Sequence, residues 1–92
     1  MTPETIKQKV LTHLKASPDI LESETRCRNE TEIRRMVAHC LYIFTDISMD
    51  EIGKMVNRDR TAVYHMISAV KKYCQMDPFY RNEIIEIETI LE

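Results

Sequence analysis

Ser48-Met49-Asp50-Glu51-Ile52-Gly53-Lys54-Met55-Val56-Asn57-Arg58-Asp59-Arg60-Thr61-Ala62-Val63 is the stretch whose reading decides the fold. Ser48 and Glu51 have the form of a capping box, in which a hydroxyl accepts an amide three residues on and a carboxylate reaches back. Ile52, Met55 and Val56 follow at the spacing of a buried helix face. Gly53 inside that helix costs about 1 kcal/mol relative to alanine, so it implies a close packing partner. Asn57 suits the left-handed conformation that ends a helix. The apolar pattern restarts almost at once, and only a tight turn fits between. From about Arg60 to Cys74 a second stripe runs through Val63, Met66, Ile67, Val70, Tyr73 and Cys74. Arg58, Asp59, Arg60, Thr61 and Tyr64 crowd its beginning.

A two-turn helix with a small inner residue, a tight turn, and a longer helix that is polar at its start make up the helix-turn-helix layout. Residues 48 to 75 satisfy it. In that layout the first helix braces the second, whose leading turn enters the major groove of double-stranded DNA. With Val63 and Ile67 inward, Asp59, Arg60, Thr61 and Tyr64 fall at the exposed leading end and are the candidate base readers. Arg60 can donate two hydrogen bonds to guanine, Asp59 can accept from cytosine or cap the helix, and Thr61 can touch a thymine methyl or a phosphate. Lys54, Arg58 and His65, with the amides of the helix start, are the candidate phosphate contacts. Lys71 and Lys72 lie further along and are expected to be solvated.

Working outward, four further segments read as helices, with one loop among them. Thr2 and Pro3 supply a cap and first-turn proline for a helix to about Ala16 carrying Ile6, Val10 and Leu14. Ser17-Pro18 opens a short helix with Ile20 and Leu21, and Glu22 to Asn29 reads as a loop. Asn29-Glu30-Thr31-Glu32 has capping-box form. The helix it starts places Ile33, Met36, Val37, Cys40, Leu41 and Phe44 in the core, with Arg34 and Arg35 outside. Asp77-Pro78 starts a last helix with Ile84, Ile87 and Leu91 on one face and Glu83, Glu86 and Glu88 elsewhere. The expected fold is all-α, a five- to six-helix bundle containing a helix-turn-helix.

Composition restricts the function. The 92 residues are 43% apolar and 30% charged, as befits one small globular domain. A single glycine excludes the loops that cradle phosphates of nucleotides. No apolar run approaches the roughly 20 residues of a membrane span, and the start lacks signal-peptide character. A cytoplasmic location is therefore expected, nucleoid-associated if the helix-turn-helix binds DNA, and three cysteines that form no close pair are expected to be reduced thiols. The net charge of −2 is uneven: residues 26 to 72 hold nine Lys/Arg against six acids, and residues 73 to 92 hold one against five. The centre is basic and the tail acidic.

The stretch Thr45-Asp46-Ile47-Ser48-Met49-Asp50-Glu51-Ile52-Gly53, followed by Asn57-Arg58-Asp59-Arg60-Thr61-Ala62-Val63, resembles the C-terminal DNA-binding domain of the bacterial replication initiator DnaA. That family has Leu-Thr, a Ser-Leu pair, Glu-Ile-Gly, and then Gly-Gly-Arg-Asp-His-Thr-Thr-Val at corresponding places. Looser similarity covers roughly residues 17 to 91. The resemblance implies base contact by Asp59, Arg60 and Thr61. It also implies a minor-groove arginine from the loop before the long helix, which counting back from Thr45 places at Arg28, with Arg26 beside it. Arginine is favoured there where A·T tracts narrow the groove. Arg60 replaces the family's histidine, Ala62 its second threonine, and Asn57 one glycine of the pair, so a different preferred sequence is expected. Glu22-Ser23-Glu24 stands where the family is basic, which removes phosphate neutralisation and flattens the salt dependence. The initiator's ATPase region is not expected in 92 residues.

Other chemistry finds little support. His13, His39 and His65 with Cys27, Cys40 and Cys74 show no close ligand pair of the kind zinc sites use, and no catalytic constellation is legible. No metal, nucleotide or other cofactor is expected, and the protein is not expected to be an enzyme. The competing reading is a protein-interaction module on the same fold that has lost its DNA contacts. Its support is the net acidity, the weakened loop at Glu22 to Glu24 and the acidic, Ile-rich last helix, where Ile85 and Ile90 offer a surface for a homodimer.

Overall fold

The computed structural model describes residues 2–17, 19–22 and 28–92, with side chains at all of these except 22, 28 and 29. Six helices follow one another: α1 (Pro3–His13), α2 (Asp19–Glu22), α3 (Arg28–Phe44), α4 (Met49–Val56), α5 (Arg60–Met76) and α6 (Pro78–Leu91). There is no strand among the described residues. The all-α reading, with a helix-turn-helix in α4 and α5, is correct.

Short polar residues cap several of these helices. Thr2 Oγ1 accepts the Thr5 amide at 3.2 Å, Ser48 Oγ the Glu51 amide at 3.2 Å, Asp59 Oδ1 the Ala62 amide at 2.7 Å, and Asp77 Oδ1 the Phe79 amide at 3.0 Å. Each satisfies a first-turn donor that has no partner within its helix, a contribution of about 1 kcal/mol. Asp77 also ends α5, so α5 and α6 meet at one residue.

The long α3 is the central element, packed against α1, α4 and α5, while α6 closes the bundle against α5 and α1. Its Val37, Cys40 and Leu41 meet Ile6 and Val10 of α1, Ile52 and Val56 of α4, and Val63 and Val70 of α5 in one apolar cluster. Ile84, Ile87 and Leu91 are buried on α6 as their spacing requires.

Four expectations are corrected. The first helix ends at His13, before Ala16, because Lys15 turns left-handed (φ 57°). Its amide reaches Thr12 O at 3.1 Å and that of Ala16 reaches Leu11 O at 2.9 Å, the Schellman pattern without its usual glycine. Asn29 is not the cap of the long helix, since α3 already includes Arg28. Glu32 pairs instead with Arg35. Arg34 is not outside: it is 1% exposed and the largest of the fully buried side chains. Finally, the acidic face of the last helix is not wholly solvated, for Glu88 Oε1 lies 3.1 Å from Nε2 of the buried His39, tying α6 to α3.

Candidate nucleic-acid interface

The turn between α4 and α5 is built almost entirely from main-chain contacts. Asn57 adopts the left-handed conformation (φ 57°, ψ 49°), and its amide and that of Arg58 both return to the carbonyl of Gly53, the latter at 2.9 Å. The Arg58 carbonyl oxygen in turn lies against Gly53, where any Cβ would overlap it. This is the packing reason for a glycine inside α4. Two residues later Asp59 caps α5, so the direction of that helix is defined from both sides of the turn.

Each candidate contact can now be placed. Arg60, Thr61 and Tyr64 are exposed on the leading end of α5, with Tyr64 60% accessible, while Val63 and Ile67 point inward as expected. His65 is exposed and its ring meets Tyr64 edge-on, with centroids 5.9 Å apart. Lys54 is exposed on α4. Arg58 is half-buried and curls back, Nη1 donating to Asn57 O at 2.7 Å. Lys54, Arg58, Asp59 and Arg60 line one shallow groove with Asp50, Gly53 and Asn57. Thr61, Tyr64 and His65 continue from it along α5. Arg28 is the first residue of α3, with its side chain not described, and Arg26 and Cys27 lie outside the described residues.

The electrostatics of this face are mixed. Asp59 uses Oδ1 to hold the Ala62 amide, so one amide assigned to phosphate by the sequence reading is already taken. Anion attraction here rests on Lys54, Arg58 and Arg60 more than on the helix terminus. Lys71 and Lys72 are exposed further along α5, and Lys71 Nζ sits 5.4 Å from the centre of the Tyr42 ring on α3.

A second, larger concavity lies between the end of α1, the start of α3 and α6. Glu30, Glu32, Asp77 and Glu83 line it, and burial raises the pKa of the Tyr80 phenol in its wall. Among the described residues no three His, Cys, Asp or Glu side chains converge as metal ligands would. None of the described helices is long and apolar enough to cross a membrane.

One residue that shapes the interface escaped the sequence reading. Arg34 Nε donates to Val56 O, at the end of α4, at 3.2 Å, and Nη2 donates to Ile20 O in α2 at 2.8 Å. Its spacing held the signal. Arg34 precedes Val37 by three residues and Leu41 by seven, placing it on the buried stripe of α3.

Comparison with known proteins agrees with this architecture. Residues 3–70 match the family described as the bacterial dnaA protein helix-turn-helix. The chromosomal replication initiator protein DnaA of Bacteroides fragilis is 28% identical over 93 residues, which cover all of this chain and 20% of that protein. The corresponding protein of Lachnoclostridium phytofermentans is 32% identical over 85 residues, covering 91% of this chain and 19% of the relative. The chain thus spans about a fifth of the length of these relatives.

Proposed function

Because the chain belongs to the bacterial DnaA helix-turn-helix family, we propose that it binds double-stranded DNA in a sequence-specific manner, seating the start of α5 in the major groove. Asp59, Arg60, Thr61 and Tyr64 face the bases in this reading. Lys54, Arg58 and His65 face the phosphates, and Arg28 with Arg26 reaches the adjacent minor groove. The domain acts without ATPase activity of its own, as a small regulator or replication-accessory factor in the cytoplasm. The observation that carries the reading is the exposed cationic end of α5, held between the Asn57 turn and the Asp59 cap.

Titration against random duplexes, and against duplexes selected from a random pool, at two salt concentrations tests it. A phosphate-contacting protein loses affinity as salt rises, and a base-reading one prefers the selected sequence. Absence of binding at low salt would overturn the proposal.

One observation favours a second reading, a protein-interaction module. Phe79, Ile85 and Ile90 of the acidic α6 are 85%, 50% and 44% exposed. Self-association through this helix, or capture of another protein, would use them. Sedimentation at increasing concentration, repeated with Ile85→Lys, distinguishes a homodimer from a monomer and is independent of the DNA titration.

A further inference from the structure

Arg34 presents an energetic problem. A guanidinium removed from water is strongly disfavoured unless its donors are met, and a methionine of similar volume often packs there with equal or greater stability. Its stability contribution therefore does not account for the arginine. The distinguishing property is geometric: a rigid planar fork can hold two acceptors at once in fixed relative positions, which neither lysine nor an apolar side chain can do.

Both of these described acceptors, Val56 O and Ile20 O, are informative. Val56 is the last residue of α4, where the helix leaves carbonyls unsatisfied and where positive charge is favoured. The next residue is Asn57, whose left-handed backbone sets the direction of α5. Ile20 belongs to α2, four residues long, which leads into the segment before Arg28. One buried side chain on the central helix therefore fastens the helix-turn-helix corner to α2. Desolvation, and then the nearby Arg58, lower the Arg34 pKa, in keeping with a cation enclosed directly behind the turn.

We propose that Arg34 is a positioning residue for DNA recognition, locking the α4–α5 turn to α2 so that the major-groove contacts at the start of α5 are presented in one fixed orientation. The proposal rests on the DNA-binding reading above and assigns Arg34 no direct contact with DNA. It places the determinant of affinity inside the protein, on the side of α4 away from solvent.

The test compares Arg34→Met and Arg34→Lys with wild type and with Ile87→Val, a core change on α6, which packs mainly on α5 and α1. Urea unfolding ranks stability, amide NMR reports Asn57, Arg58 and Leu21, and titration measures affinity for the DNA that wild type selects. Arg34→Met is expected to keep the helical fold, shift the Asn57 and Arg58 amides, and lose at least tenfold in affinity. Arg34→Lys restores the charge without the fork and recovers only part of that loss. Ile87→Val, equally or more destabilised, binds as wild type. A folded Arg34→Met with wild-type affinity and unmoved Asn57 and Arg58 amides overturns the proposal. If wild type binds no duplex, the DNA reading itself fails, and the amide shifts alone decide whether Arg34 sets the turn. If neither Arg34 variant folds, wild type still answers. A slowly exchanging Arg34 Nε–H, with scalar coupling to the Val56 carbonyl, supports the lock; a rapidly exchanging one overturns it.

Discussion

The carbonyl oxygen of Arg58 rests on the Cα of Gly53, leaving no room for a side chain between α4 and the turn that follows it. Gly53→Ala gains about 1 kcal/mol in helix preference. It must also displace a backbone carbonyl, an overpacking that costs about 1 to 3 kcal/mol, with the upper part of that range expected here. Urea unfolding is expected to register a net loss of about 1 to 2 kcal/mol with unchanged slope. A more stable variant would mean that the turn can retreat freely.

Asp59 joins a structural task to a candidate recognition one. Asp59→Ala is expected to lose about 1 kcal/mol of stability, while Asp59→Asn, which keeps the accepting oxygen, retains most of it. If Asp59 only caps, DNA affinity tracks this order. A selective loss of cytosine preference in Asp59→Asn would assign it base contact as well.

Lys15 occupies the left-handed position that glycine fills at most helix ends of this kind. Relief of the side-chain clash at positive φ, offset by the greater freedom of glycine in the unfolded chain, leaves Lys15→Gly more stable by roughly 0.5 to 1 kcal/mol. Thermal unfolding at neutral pH measures this gain.

Burial pushes the Cys40 thiol up to about 12 from its ordinary 9.0. Its folded pKa is the higher one, so this contribution is fully present below about pH 9 and is lost as pH rises toward 12. By pH 10 the loss from this group alone is about 1 kcal/mol, and Cys40→Ala should flatten the alkaline slope accordingly. Thiol reagents at pH 8 should modify Cys40 only as fast as the protein unfolds.

For the DNA face, Arg60→Ala is expected to relax sequence preference at one position by about 1 to 3 kcal/mol. Lys54→Ala should weaken all sequences alike and reduce the slope of log affinity against log salt by about 1. Arg28→Ala should act mainly on A·T-rich flanks. Wild-type binding by both Arg60→Ala and Arg28→Ala would refute the contact assignment.

Features that depend on neighbours along the chain were legible in the sequence. The caps at Thr2, Ser48, Asp59 and Asp77, the left-handed Asn57, and the inward Val63 and Ile67 each follow from a few adjacent residues. The exposure of Arg60, Thr61 and Tyr64 follows from the same periodicity. What escaped depended on distant partners. Arg34 is buried because Ile20 and Val56, far apart in sequence, bring two carbonyls to it, and local hydropathy sends an arginine outward. The Asn29 capping pattern is locally sound, yet the helix begins upstream of it. Lys15 ends α1 without the glycine that marks such ends. The partnership of Glu88 with His39 joins two helices whose order in the chain gives no hint of contact.

The aim of α5 is set by main-chain atoms of Gly53, Asn57 and Arg58, while the side chains at positions 60, 61 and 64 carry no part of the core. At these three positions, unlike Asp59, holding the fold and the proposed reading of DNA are separable. If the proposed contacts hold, such a scaffold can exchange these residues for others and acquire a new target without refolding, which makes the three positions the natural place to randomise.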